Sequence, residues 1–160
     1  MAYNFASDPM HKIYFRYAYR EAVKSRHPEA QCASVLVNHS KGMVSCCNND
    51  EIFPGVYEHA EKRTLYKAIN AGFHPSGLTL YTTFGCFPDC AKSIVQLNLR
   101  RVIVHKQFYD QSPDSWKSLA EVGEKILVAF GVQYLMWHGS VFDERDTISI
   151  RVNQGVTIKP

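Results

Sequence analysis

The sequence has no apolar run that approaches the roughly 20 residues a membrane-spanning helix requires. Its first ten residues include Asn4, Ser7, Asp8 and Pro9, and so lack the apolar centre of a secretory signal peptide. Internal repeats and Gly/Ser-rich linkers are also missing. We therefore expect a soluble, cytoplasmic protein of one domain, spanning residues 1–160.

The chain carries little excess of charge of either sign. Lys and Arg number 18 against 15 Asp and Glu, so the formal net charge is +3. Because polynucleotide binding usually needs a basic track, this balance argues against a nucleic-acid partner. Hydrophobic residues make up 46% of the sequence, a globular composition that excludes a disordered chain.

Cysteine occurs five times, and an odd number does not suggest a disulfide framework. Metal binding or catalysis is the alternative, and the spacing of the cysteines must decide. We expect Cys32, Cys46 and Cys47 to be structural or unreactive thiols.

Helical and strand-like hydrophobic periods alternate along the chain, which predicts an α/β layer structure. Segment 48–57 is expected to be a loop, and the stretch after Gly139 has only weak strand character. The expected helices are 10–26, 59–71, 88–98 and one that opens at 112–114, and the expected strands are 33–38, 43–47, 78–83, 101–106 and 132–137.

Two short clusters carry residues suited to metal chemistry. His59 and Glu61 lie at the expected start of the second helix, and Cys86 and Cys90 lie at the start of the third. The segment between them holds one helix, one turn and one strand, a spacing that returns the chain to the same end of the sheet. Both helix N-termini can then meet in one crevice, where open α/β sheets bind their ligands.

One imidazole and two thiolates are suitable zinc ligands, and three protein ligands leave the fourth position for water. We therefore expect His59, Cys86 and Cys90 to hold one catalytic Zn²⁺, which lowers the pKa of the bound water to about 7. Glu61 is the expected catalytic group, because a carboxylate can take the water's proton and deliver it to leaving ammonia. Zinc deaminases carry this H-x-E and P-C-x-x-C pattern. Here Gly85 replaces the proline and three residues separate the cysteines.

Most of the remaining sequence resembles the cytidine and deoxycytidylate deaminase family, especially its deoxycytidylate (dCMP) branch. The matching segments are 25–31 (SRHPEAQ, similar to S-x-x-P-x-x-Q), 47–49 (CNN, where the family has Y-N-G), 53–55 (FPG, similar to F-P-x-G), 59–61 (HAE), 81–83 (YTT), 89–92 (DCAK) and 150–153 (IRVN, similar to I-R-F-N). The resemblance implies a three-layer α/β/α cytidine-deaminase-like fold, with a five-stranded mixed sheet flanked by helices.

The resemblance also implies a function. It is the zinc-dependent hydrolytic deamination of a small-molecule substrate, dCMP, to dUMP with release of ammonia, while protonated Glu61 supports N3 of the cytosine. Family members commonly form homo-oligomers, often hexamers, and many respond to dCTP and dTTP. Asn49 replaces the glycine of Y-N-G, which leaves such regulation open. The loop before His59 contains no Cys and no further His, so we expect no second, structural zinc.

Five residues are assigned to substrate binding. By the family match, Asn48 contacts a sugar hydroxyl, although it can equally be a turn residue. Ser25 and Arg26 are candidates for the phosphate, with helix capping as the alternative for Arg26. Ala60 adjoins the metal ligand, and Tyr109 either lines the base pocket or is an ordinary buried aromatic.

Two other functions stay open. The substrate of the deaminase can be a different one: cytidine, dCTP, a modified cytosine nucleotide, or cytosine or adenine in a nucleic acid. Alternatively, the irregular Gly85–Cys90 segment is compatible with a deaminase-fold zinc-binding subunit that has lost catalysis.

Overall fold

A computed structural model describes residues 9–146, 148–153 and 156–160. The helices are α1 (Pro9–Ala22), α2 (Ala60–Asn70), α3 (Pro88–Gln96), α4 (Lys106–Gln111) and α5 (Asp114–Ala129). The strands are β1 (Ala33–Asn38), β2 (Gly42–Asn48), β3 (Asp50–Phe53), β4 (Val56–Glu58), β5 (Thr79–Thr82), β6 (Arg101–His105), β7 (Gln133–Trp137), β8 (Ile150–Asn153) and β9 (Val156–Ile158). None of the helices within these ranges is long and apolar enough to cross a membrane.

A five-stranded mixed sheet forms the centre of the molecule, in the order β2-β1-β5-β6-β7. Strand β1 runs antiparallel to both of its neighbours, whereas β5, β6 and β7 are parallel to one another. Helix α2 therefore connects two parallel strands, β2 and β5, that have β1 between them. The predicted five-stranded mixed sheet is confirmed, strand by strand.

Alternate residues of the central strands point to opposite faces and create two apolar cores. Val35 and Ile103 pack with buried residues of α1 and of the C-terminal segment. Leu36 and Val102 pack on the other face with buried residues of α2, α3 and α5. The sheet is thus covered on both sides, which gives the predicted three layers.

Four segments differ from the sequence-based expectation. Helix α1 ends at Ala22, where turn hydrogen bonds from Lys24 N to Glu21 O and from Ser25 N to Ala22 O replace the helical pattern. The Ser25 hydroxyl then donates to the backbone carbonyl of Asn49. Segment 48–57 is not a loop: β3 and β4 form a hairpin, and Gly55 adopts φ 79° at its turn. Helix α4 was not expected, and the C-terminal stretch without an assignment forms the β8–β9 hairpin.

Candidate active site

The N-termini of α2 and α3 lie side by side, as the spacing of the two clusters predicts. His59 precedes α2 in extended conformation, and Glu61 lies in the first turn of that helix. Pro88 begins α3, and Cys90 follows it in the first turn. The sequence forms both helix starts locally, since proline suits the first helical position and acidic residues suit the first turn.

The side chains at these two helix starts converge. Cys90 Sγ lies 3.3 Å from His59 Nδ1 and 3.8 Å from Glu61 Oε2. Ligand atoms of these three residues all lie within 4.8 Å of one another. Tetrahedral zinc with ordinary Zn–N and Zn–S bond lengths separates its nitrogen and sulfur ligands by about 3.6 Å. The His59–Cys90 pair therefore fits a zinc ion.

Cys86 is fully buried next to this group. Burial raises the pKa of both Cys86 and Cys90, and the neighbouring Glu61 raises it further. Among the described residues, the group with mutually close ligand atoms does not include Cys86. Two buried thiols beside an imidazole are a donor set that a divalent cation would stabilise as thiolates. The role of Cys86 as a third ligand stays a prediction.

A glycine in α5 sets the position of the Cys86 backbone. A Cβ atom on Gly123 would lie 1.9 Å from the carbonyl oxygen of Cys86, far inside van der Waals contact. Only glycine therefore lets this loop approach the helix so closely. Sequence reasoning did not single out Gly123, because nothing in the local helical pattern marks it.

The Glu61 carboxyl group is buried and sparsely solvated, with 7% of the residue exposed. The Thr82 hydroxyl donates to Glu61 Oε1 at 3.4 Å. Burial raises the pKa of Glu61, and the neighbouring His59 acts in the opposite direction. A buried carboxyl with a raised pKa beside a candidate metal site is suited to exchange a proton with a reacting group.

The site opens into a cavity of 180 Å³. One part of its wall is aromatic, and the rest carries the candidate catalytic residues together with a few other polar groups. The lining residues are His27, Glu29, Ala30, Cys32, Asn49, His59, Ala60, Glu61, Phe84, Gly85, Phe87 and Trp116. Such a mixture of aromatic walls and convergent polar groups is typical of a small-molecule site.

His27 supplies a hydrogen-bond donor to this lining. Its Nδ1 accepts hydrogen bonds from the backbone N–H groups of Glu29 and Ala30, at 3.2 and 3.3 Å. The proton of the neutral ring is therefore on Nε2. Burial lowers the pKa of His27, which favours this neutral form.

Of the five residues assigned to substrate binding, only Ala60 lines the cavity. Asn48 is buried elsewhere, where its side-chain amide donates to the carbonyl of Glu21 and its side-chain oxygen accepts from Arg63. Ser25 is also buried and donates to the carbonyl of Asn49.

The other two assigned residues lie outside the lining as well. Arg26 is exposed, and its Nε pairs with Asp50 Oδ1 at 3.0 Å. Tyr109 stacks against Phe84, a residue of the cavity lining, with ring centroids 5.8 Å apart. The substrate contacts assigned to these residues stay predictions.

Several lining residues were missed by sequence reasoning. Asn49, the neighbour of Asn48, lines the cavity, and its side-chain amide bridges Cys32 N and the Ala30 carbonyl at 2.8 and 2.9 Å. His27 lies inside the matching segment 25–31 and could have been found there. No sequence pattern marked Trp116 as a cavity residue, because it lies on α5, far along the sequence from His59 and Glu61.

Comparison with known proteins finds one matching family model and two similar curated proteins. A family model described as the cytidine and deoxycytidylate deaminase zinc-binding region matches residues 9–106, more than half of the chain. Deoxycytidylate deaminase of Enterobacteria phage T2 is 32% identical over 80 residues, which are 49% of this chain and 40% of that protein. The phage T4 enzyme is 33% identical over 61 residues, 38% of this chain and 31% of that protein. The chain thus matches less than half the length of these curated relatives.

Solved structures share the fold. The dCMP deaminase from cyanophage S-TIM5 in apo form has a TM-score of 0.64 at 19% identity, over 79% of this chain and 96% of that chain. A deaminase/reductase from Thermotoga maritima, diaminohydroxyphosphoribosylaminopyrimidine deaminase/5-amino-6-(5-phosphoribosylamino)uracil reductase, has a TM-score of 0.63 at 17% identity, over 79% of this chain and 36% of that chain. At identities this low, structural similarity shows only a shared fold. This similarity confirms the predicted three-layer architecture.

Proposed function

The chain belongs to the cytidine and deoxycytidylate deaminase family, and from that premise we propose that it deaminates dCMP to dUMP with zinc as cofactor. The observation that carries the proposal is the convergence of His59, Cys90 and Glu61 at the two helix starts. We assign His59, Cys86 and Cys90 as the residues that hold the ion. Zinc bound there would supply a water of lowered pKa, near 7, and so a nucleophile at neutral pH.

Glu61 carries the protons in this proposal. Water adds to C4 of the cytosine ring while Glu61 takes the proton that the water loses and gives one to N3. A further proton transfer through Glu61 converts the amino group at C4 into ammonia, which leaves as the C4 carbonyl forms. Water is consumed and ammonia is released, so atoms and charge balance. The burial of Glu61 suits it to hold the proton between these steps.

The lining of the cavity is suited to binding a planar heterocyclic substrate. Phe84, Phe87 and Trp116 provide aromatic surface on one side, and the polar groups of His27 and Glu61 lie in the same lining. Aromatic rings stack favourably on nucleobases. The choice of dCMP within the cytosine nucleotides rests on the curated relatives, which are deoxycytidylate deaminases.

We also propose that the protein acts in the cytoplasm as a homo-oligomer. All five cysteines are free in the structure, as a reducing compartment allows. Large apolar side chains are exposed on α1 and α2, among them Ile13, Tyr17 and Tyr66, with 41 to 46% of their surface accessible. Exposed apolar side chains of this size are common at surfaces that bind another chain.

The direct test is ammonia release from dCMP, dCTP, deoxycytidine and cytidine in parallel, with and without a chelator. We expect dCMP to react fastest and the chelator to abolish turnover. Glu61→Gln should retain the metal and lose nearly all turnover, because the amide cannot shuttle protons. A preference for another substrate overturns the choice of dCMP. Nucleotide binding without any ammonia release indicates the inactive binding subunit instead.

A further inference from the structure

The imidazole ring of His27 uses only one of its two nitrogens within the protein. Nδ1 accepts hydrogen bonds from the backbone N–H groups of Glu29 and Ala30, so the proton of the neutral ring is on Nε2. In the described part of the chain, none of the hydrogen bonds of His27 involves Nε2. Because His27 lines the cavity, its Nε2–H group is a donor available to a ligand there.

This ring is held in place from several sides. Tyr57 contacts it edge to face, with ring centroids 4.7 Å apart. The backbone N–H of His27 donates to Ser25 Oγ at 3.2 Å, and its carbonyl accepts from Arg151 Nη2 at 3.0 Å. A donor that is already fixed in this way loses little conformational entropy when a ligand binds.

The charge of the lining indicates which kind of group this donor binds. The lining includes the carboxylates of Glu29 and Glu61, and no lysine or arginine is among its described residues. A phosphate group is usually bound by cationic side chains, and the charge of Glu29 would repel it. A hydroxyl group can both accept from His27 and donate to Glu29. The pair therefore suits a neutral hydroxyl better than a phosphate.

We propose that His27 and Glu29 bind the 3′-hydroxyl of the substrate's sugar, with His27 as donor and Glu29 as acceptor. The inference rests on the proposed function for the identity of the substrate. The 3′-hydroxyl is the one free hydroxyl on the sugar of dCMP. The sugar contact predicted for Asn48, which does not line the cavity, would then belong to these two residues.

His27→Asn is the variant that isolates the Nε2 donor. An asparagine side chain readily accepts a hydrogen bond from the backbone N–H two residues further on, so the contact with Glu29 N is kept. His74→Asn is the matched control, because the exposed His74 accepts from the backbone N–H of Ser76 with the same spacing, at 3.1 Å, outside the cavity. Glu29→Ala is a second variant, which keeps the backbone N–H and removes the acceptor.

The experiment compares compounds with and without the 3′-hydroxyl. We would measure kcat/KM for dCMP and for 2′,3′-dideoxycytidine 5′-monophosphate, and dissociation constants for dUMP and its 2′,3′-dideoxy counterpart by calorimetry. The wild-type preference for the hydroxyl should fall about three- to tenfold in His27→Asn, the contribution of one neutral hydrogen bond. Glu29→Ala should reduce it as well, and His74→Asn should leave it unchanged.

The outcomes separate this inference from the proposed function. An unchanged hydroxyl preference in His27→Asn and Glu29→Ala overturns the inference. A reduced preference for dCMP over deoxycytidine in His27→Asn, with the hydroxyl preference unchanged, also overturns it, because His27 then faces the phosphate. If His27→Asn does not fold, Glu29→Ala decides. A hydroxyl preference in dUMP binding that depends on His27, without ammonia release from dCMP, supports the inference and contradicts the proposed function.

Discussion

Replacement of Gly123 by alanine is expected to destabilise the protein, although alanine is normally the better helix former. The alanine Cβ would lie 1.9 Å from the Cys86 carbonyl oxygen and 2.9 Å from its carbonyl carbon. Ordinary contact between carbon and oxygen is about 3.3 Å, so helix and loop must separate by more than an ångström. Both contacting atoms belong to the backbone, so no side-chain rotation can relieve the overlap.

The magnitude follows from two opposing effects. A glycine-to-alanine change inside a helix normally stabilises by about 1 kcal/mol. Overpacking of a closely packed contact costs about 1–3 kcal/mol, and the severity of this overlap favours the upper part of that range. We therefore expect a net loss of about 1–2 kcal/mol. Because the loop that moves carries Cys86, zinc affinity should fall as well.

Urea denaturation of the metal-free protein measures the loss of stability, and zinc titration measures the loss of zinc affinity. Glu121→Ala is the matched control, since this side chain is exposed two residues earlier on the same helix. The control should be close to wild type in both assays. A Gly123→Ala variant that is more stable than wild type, with the same zinc affinity, would refute the close approach of α5 to Cys86.

Three further predictions concern other parts of the molecule. Burial lowers the pKa of His105 to about 4, so stability should be complete above pH 6.5 and fall by about 3 kcal/mol as the pH drops from 6.5 to 4. His105→Gln should remove this part of the pH dependence, and an unchanged slope in urea midpoints would contradict the assignment. Asn49→Ala should cost about 1–3 kcal/mol, because it leaves Cys32 N and the Ala30 carbonyl unpaired, and a loss below the error of denaturation curves would count against the bridge. Trp116→Ala should raise the KM for dCMP more than it lowers kcat, and steady-state kinetics with the reverse pattern would show that Trp116 does not line the substrate site.

The five central strands could be predicted because each is a short apolar run with clear flanking signals. Arg101–His105, for example, is buried on both faces of the sheet and is nearly continuous in apolar residues. The β3–β4 hairpin was missed because neither of its strands has a buried face. Apolar and polar residues therefore do not alternate along them, and the strand pattern is absent from the sequence. Helix α4 has only six residues, too few for a helical period to show.

Part of the site was equally accessible from sequence. His59, Glu61 and Cys90 each sit at a helix start with local signals, and the topology then brings the two starts together. The cavity lining was harder to predict, because adjacent residues at the end of a strand point in opposite directions. Asn48 and Asn49 are chemically identical, and only the three-dimensional structure shows that Asn49 lines the cavity.

The account depends most on one zinc ion bound by an imidazole and two thiolates beside Glu61. X-ray absorption at the zinc edge, on protein loaded with a single equivalent, counts the sulfur ligands directly. The assignment of His59, Cys86 and Cys90 predicts two sulfur neighbours and one imidazole nitrogen. A spectrum with a single sulfur neighbour, unchanged in Cys86→Ser, would contradict it.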